Sequence, residues 1–244
     1  MMLAEILSSL FPNGHDVALN QGLLFGRGTR ATGRVIIVIG VDGCLPVGVD
    51  EAAWLSRRVL DTLTNGNQDP ILVLLDSDSQ RMSKRDELLG LNEYLAHLAK
   101  CLMYVEAKGH ATVGLLYGHS AAGAFIATAL ATRALLALPD ADPAVMDLPS
   151  MARVTKLSIE VLQEKAKSTP VFAPGLHNLV QTGGIAAVLD PGVSLADQLE
   201  VALGSIAQSV GLKDTRDQLG KVRNGRPKAA DIAHRVHELA LASR

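Results

Sequence analysis

Aromatic residues are scarce, at 3% of 244 residues with a single tryptophan, while 48% of the chain is hydrophobic. A core of that size without aromatic bulk has to be packed from Ala, Val, Leu and Ile on closely approaching elements, which suits an α/β layer structure. Cysteine is nearly absent too. Cys44 and Cys101 cannot build a disulfide framework or a four-thiolate zinc site by themselves. Each precedes a leucine in an apolar stretch, and both read as buried thiols in a cytoplasmic protein. The net charge of −2 leaves no basic stripe of the kind nucleic acid requires. Long apolar runs are missing as well: Ala121 to Ala131 contains Thr128 and is soon followed by Arg133, well short of a membrane span. Met1 to Pro12 carries Glu5 and no basic residue, unlike a signal peptide. A soluble protein with neither nucleic-acid nor membrane partner is expected.

At this length one large domain with a tail is the simplest organisation. Arg34 to Val41 is a β-branched run between Gly33 and Gly43 and reads as a buried strand, with Leu23 to Arg30 able to pair with it. Asp50 and Glu51 open a helix whose Ala52, Leu55, Val59 and Leu63 recur at helical spacing and which ends at Asn65-Gly66-Asn67. Ile71 to Leu75 is a second buried strand, followed by a polar segment, Asp76 to Gln80, and a long helix with Leu88, Leu91, Leu95, Leu98 and Leu102 inward. A third unit joins the strand Thr112 to Tyr117 to a helix beginning near Ala121. Three alternations of strand and helix indicate right-handed crossovers in a largely parallel sheet. Past Arg133 the pieces are shorter: Ala134 to Leu138, a turn at Asp140 to Pro143, a piece from Ala144 to Asp147, a helix from Lys156 to Lys167, a strand from Ile185 to Asp190 and a helix from Ser194 to Val210. A polar, basic stretch over 212–228 precedes a final amphipathic helix. The expected division is a segment over 1–22, a main domain over 23–211 and a basic loop with a terminal helix over 212–244.

The chemistry concentrates in Leu115 to Phe125, LLYGHSAAGAF. A strand running through a small-residue turn into a helix points unpaired amides, at the positive end of a helix dipole, toward whatever lies before it. One reading makes Gly118-His119-Ser120 a nucleophile elbow. That motif wants glycine two places after the serine, where this chain has Ala122, with Gly123 one place later. Asp190 with His234 or His237 would follow in the order a hydrolase needs. The other reading uses the backbone: the turns after Leu75 and after Tyr117 each present an N–H to a thioester oxygen whose charge grows during reaction. Small residues at 120–123 also arise simply where a helix start packs tightly on a sheet. Asp76 and Asp78 with Ser77 and Ser79 form a polar cluster in which solvated carboxylates are commoner than a metal site. Lys221, Arg223, Arg226 and Lys228 form a basic loop open to solvent or to phosphates.

Four stretches carry a resemblance: GVDGCLPVGVDEAAWLSRRVLD from Gly40, YGHSAAGAF from Tyr117, LPDADPAVMDLPSMARV from Leu138 and GLHNLVQTGGIAAVLDP from Gly175. With the strand before the first, they span about residues 33 to 192. Their order resembles the carboxyltransferase branch of the crotonase-like (ClpP/crotonase) fold, built of stacked ββα units, and most closely the gamma subunits of biotin-independent malonate decarboxylases. In such carboxyltransferases the segment matching His119 to Phe125 typically reads Lys-Ala-Phe-Gly-Gly-Ala-Tyr, and its amides help hold an enolate or ureido oxygen. Ser120, Ala121, Ala122 and Gly123 take the central places here. The matching first-donor loop is usually glycine-rich, whereas this chain has Ser77-Asp78-Ser79-Gln80, a departure that fits a site no longer handling biotin.

The resemblance implies a carboxy-lyase subunit acting with a homologous beta subunit. Malonyl thioester, carried on the coenzyme-A-like prosthetic group of an acyl carrier protein, would lose carbon dioxide to leave an acetyl thioester. No cofactor or metal is implied in this chain, and a cytoplasmic hetero-oligomer is expected. His119, Ser120 and Gln80 are the candidates for quenching the carbanion; Gly118, Ser77 and Ser79 are candidates for contacting the substrate. The competing expectations are a subunit of a biotin-dependent carboxyltransferase, a Ser120 hydrolase and a non-catalytic scaffold for the partner.

Overall fold

The structure is a computed structural model that describes residues 1–208 and 214–242, and of Asn65 the backbone alone. The chain begins with α1 (Leu3–Leu10), β1 (Ala18–Asn20), β2 (Leu23–Thr29), β3 (Val35–Val47), α2 (Val49–Asp61) and β4 (Ile71–Gln80). It continues through α3 (Lys84–Leu88), α4 (Leu91–Ala107), β5 (Thr112–Leu116), β6 (His119–Ala121), α5 (Ala122–Thr128), β7 (Ala134–Ala137) and β8 (Asp142–Ala144). Then come α6 (Leu148–Thr155), α7 (Ile159–Ala166), α8 (Leu176–Gln181), β9 (Ala187–Val188), α9 (Leu195–Gln208), α10 (Arg216–Val222) and α11 (Ala229–Ala242). These gather into two compact units, one holding residues 1–145 and the chain from Val188 through α9, the other residues 146–187 with α10 and α11. The expected boundary at 211/212 lies outside the described residues, as does the end of the helix expected to reach Val210.

In the first unit β2 and β3 form an antiparallel pair, and β3, β4, β5 and β7 run parallel in that spatial order. Both faces of the central strands are covered: Ile36, Val38, Ile71, Leu72, Leu74, Leu75, Val113 and Leu116 are all fully buried. That is why these strands read in sequence as continuous apolar runs and not as alternating ones. Gly40 lets β3 and β4 approach, since a Cβ there would lie 2.2 Å from the Leu74 carbonyl oxygen. The crossover helices α2, α4 and α5 pack side by side, and α1 packs on α9. Among the described residues no helix is long and apolar enough to cross a membrane.

Several boundaries differ from the sequence reading. Asp76 to Gln80 is not a separate loop; it prolongs β4, because β3 resumes beyond a bulge and pairs Leu45 with Ser77 and Val47 with Gln80. Gly90, in the left-handed region at φ 82°, splits the expected long helix in two. Leu88 therefore sits in the short α3 and is 78% exposed, while Leu91, Leu95, Leu98 and Leu102 face inward as expected. Cys101 is buried, but Cys44 is exposed at a bulge with φ 52°. The expected strand over Ile185 to Asp190 contracts to Ala187–Val188, and the turn at Asp140 to Pro143 gives way to strand β8 from Asp142.

Asp86 shows how polar groups lock the first unit. Its carboxylate is buried and accepts from the Val49 N–H at 3.0 Å, capping α2, and from the Ser83 hydroxyl, while its own N–H donates back to Ser83 Oγ at 3.0 Å. The Ser83 hydroxyl and then the Val49 amide hold this carboxyl below the ordinary aspartate range. Its stabilising share is therefore present above the unfolded aspartate value of about 3.9 and is lost as pH falls through the lower folded value. Asp86→Ala is expected to cost about 2–3 kcal/mol in urea unfolding at neutral pH, with the difference from the parent shrinking in acid; equal midpoints at neutral pH would refute this.

In the second unit, α6 and α7 are capped by Asp147, which accepts from Ser150 N–H at 2.8 Å, and by Ser158, which accepts from Val161 N–H at 3.3 Å. Of the stretch read as a basic loop, Arg216–Val222 is helix α10 and 223–228 remains a turn, with Lys221, Arg223 and Arg226 committed to internal bonds. Arg223 donates to the carbonyls of Val180, Ile185 and Ala186 at 2.7, 2.8 and 2.7 Å, Arg226 donates to Thr182 at 2.8 Å, and Lys221 pairs with Asp231 at 2.6 Å.

Candidate functional site

The site is built where β4, β5 and β6 end. Tyr117 and Gly118 N–H groups both donate to the Leu75 carbonyl, at 3.1 and 3.4 Å, so the chain leaves β5 still tied to β4. It then forms β6, which the sequence reading passed over as a turn. Three residues carry no periodic signal, and β6 exists because β8 pairs with it in parallel, His119 opposite Asp142, Ser120 opposite Pro143 and Ala121 opposite Ala144. The helix α5 follows at once, with Ala122 at φ 50° making the corner.

Asp76, read from sequence only as one of a polar cluster, is the hub of this region. It accepts from the Gly43 N–H at 3.2 Å and the His119 N–H at 3.0 Å, with the Cys44 thiol 3.4 Å away. It thereby ties the β3 bulge to the start of β6. Gly118 has to be glycine for this to hold, since a Cβ there would lie 2.1 Å from Asp76 Oδ1. Beside the hub, the Tyr117 hydroxyl donates to Asp42 Oδ1 at 2.7 Å, and burial followed by that carboxylate pushes the phenol far above its usual range. Desolvation and then Asp76 hold the Cys44 thiol above its ordinary value, so it stays protonated. Among the described residues no group of His, Cys, Asp or Glu is placed to hold a metal ion.

The candidates from the sequence come together in this one place. Ser77 and Ser120 are both fully buried and share a hydrogen bond at 2.8 Å between their hydroxyls, stitching β4 to β6. Ser120 therefore has Ser77 as its hydroxyl partner, and His234 pairs with Glu238 at 3.0 Å on its own helix. Ser79 turns back on its own strand, its hydroxyl donating to the Gln80 carbonyl at 3.3 Å. Gln80 reaches the start of α5, where its Oε1 accepts from the Gly123 N–H at 2.8 Å. His119 is partly exposed, and its Nδ1 lies 3.0 Å from Asp142 Oδ2. Asp76 and Asp142 were missed as partners because nothing local in the sequence announces contacts of a carboxylate with residues 43 and 23 positions away.

A model of the malonate decarboxylase gamma subunit family matches residues 44–240. The chain belongs to that family. Solved structures agree on the fold. A chain in the Pseudomonas malonate decarboxylase hetero-tetramer in complex with coenzyme A superposes with a TM-score of 0.77 at 23% identity, covering 96% of this chain and 98% of that one. A chain of the Pseudomonas malonate decarboxylase MdcD-MdcE hetero-dimer gives 0.74 at 23% identity, over 97% and 98%. Transcarboxylase 12S gives 0.66 at 16% identity, over 85% of this chain and 40% of that one. The gamma-subunit-family chain thus has the expected crotonase-like carboxyltransferase fold. A curated relative, the malonyl-S-ACP:biotin-protein carboxyltransferase MADD of Malonomonas rubra, is 28% identical over 153 residues, 59% of this chain. The chain spans about half the length of that relative, 52%.

Proposed function

We propose that this chain is the gamma subunit of a cytoplasmic malonate decarboxylase, acting with a homologous beta subunit on malonyl thioester carried by an acyl carrier protein. The thioester enters on the carrier's coenzyme-A-like prosthetic group. Loss of carbon dioxide leaves an enolate, and donors fixed before the reaction lower that barrier because they stabilise charge that exists only late in the step.

The observation that carries this reading is the Gly123 amide. It lies in the first turn of α5 and meets a side-chain oxygen, Gln80 Oε1 at 2.8 Å, which a rotation can withdraw. That oxygen stands in for the thioester oxygen, and Gln80 swings aside when substrate binds. Ser120, Ala121 and Ala122 shape the corner that aims this amide, and Ser77, Ser79 and Gly118 form the surrounding wall. Of the three candidates for quenching the carbanion, Ser120 is buried against Ser77, and a neutral carboxamide such as Gln80 does not supply a proton at neutral pH. His119, partly exposed and carrying an imidazole N–H that can reach a ligand, is the proton donor in this reading.

The test is decarboxylation of malonyl carrier protein by this chain with its beta partner, by each alone, and with Ser120→Ala. Activity is expected only for the pair, and Ser120→Ala is expected to retain most of it. Loss of several orders of magnitude in that variant, with fluorophosphonate labelling of Ser120, would favour a hydrolase. Full rate from the partner alone would reduce this chain to a scaffold. The description of the Malonomonas rubra relative favours a second reading, carboxyl transfer to biotin, which predicts that turnover depends on a biotinylated carrier.

A further inference from the structure

Asp142 is the carboxylate that meets the His119 ring. It opens β8 directly opposite His119, and its N–H donates to the Gly118 carbonyl at 3.0 Å, so the register that makes β6 also sets these two side chains together. His119 is fixed from the other side by its own N–H on Asp76 at 3.0 Å. Asp142 Oδ2 lies 3.0 Å from the ring's Nδ1, an acceptor that favours this one rotation of the ring from a carboxylate 74% exposed. Among the described residues Nε2 meets no protein partner, and the ring is 32% exposed. On β4, Asp76 binds the backbone of His119 and holds the Cys44 thiol, and Asp78 accepts from the Ser79 N–H; Tyr117 donates to Asp42, and α5 has no titratable residue.

We propose that Asp142 is a positioning residue for His119, holding Nδ1–H so that Nε2–H is presented to the carbanion. This rests on the decarboxylase reading. The bond between the carboxylate carbon and the α-carbon breaks, its electron pair enters the enolate, and carbon dioxide departs. The α-carbon then forms a bond to the proton as the Nε2–H bond breaks, leaving neutral imidazole that solvent reprotonates. A carboxylate on Nδ1–H orients the ring, the role an aspartate plays behind a catalytic histidine elsewhere.

A proton donor shapes the fate of the enolate, which either takes a proton or recaptures carbon dioxide. The experiment uses the chain with its beta partner, malonyl carrier protein and labelled bicarbonate with carbonic anhydrase, and measures both acetyl formation and return of label into the malonyl group. His119→Gln is expected to slow acetyl formation about 100-fold and Asp142→Ala about tenfold, both with label return per acetyl formed rising above the parent's. Asp142→Asn, whose amide oxygen still accepts from Nδ1–H, is expected to recover much of the rate. A merely structural loss would lower both fluxes together and leave their ratio at the parent value; that result, or unchanged turnover in Asp142→Ala, overturns the proposal. A parent pair that forms no acetyl thioester at all would instead overturn the decarboxylase reading on which it rests.

Discussion

Gly118→Ala is expected to lower turnover by about 100-fold or more, with the global fold retained. The methyl group would arrive 2.1 Å from Asp76 Oδ1 and 2.8 Å from its Cβ, so the carboxylate cannot stay. Its departure strips acceptors from the Gly43 and His119 amides, each charge-assisted bond being worth about 1.5–3 kcal/mol. The strain falls on the two segments that frame the site, the β3 bulge and β6, and a displacement of about 1 Å in such a constellation costs about 100-fold in rate. Steady-state assay of the two-subunit enzyme alongside a thermal melt separates the effects. A melt that is lowered but still cooperative, with the complex folded at the assay temperature, together with lost activity supports the hub role of Asp76. Parental turnover would show that neither Asp76 nor the position of His119 matters to the chemistry.

The parallel core was legible because its signal is local and repeated. β-branched runs such as Ile36 to Ile39, bounded by glycines, have few alternatives to a strand buried on both faces, and the α2 start announces itself with Asp50 and Glu51. What the sequence did not disclose was decided by partners far along the chain. The polar Asp76 to Gln80 looked like a loop, yet pairing with Leu45 and Val47 keeps it extended. β6 is strand only because β8 lies beside it, and an isolated three-residue segment has no pattern to detect. Leu88 fitted the helical spacing perfectly until Gly90 broke the helix. Among the candidate residues, Ser77 meets Ser120 and Gln80 meets Gly123, as their common place in the sequence reading leads one to expect. The connecting carboxylates stayed hidden, although Gly118, a glycine without a positive φ, was a signal that something presses against it.

One hydrogen, on the Gly123 amide, is the centre of the proposed chemistry. If the Gly123 N–H holds the enolate oxygen, its removal should cost what loss of one preorganised donor costs elsewhere, about 100- to 1,000-fold in turnover. Ordinary substitutions cannot test this cleanly, because a Cβ at 123 would meet Gln80 Oε1 at 3.1 Å and Leu95 Cδ1 at 3.2 Å. Replacing Gly123 by glycolic acid, which exchanges the N–H for an ester oxygen and leaves the shape unchanged, isolates the donor. The measurement is single-turnover decarboxylation of malonyl carrier protein by the ester-containing chain bound to its beta partner. A fall of about 100- to 1,000-fold, with binding of the carrier nearly unchanged, is the predicted result, and a rate within about twofold of the parent would contradict the claim that this amide carries the charge.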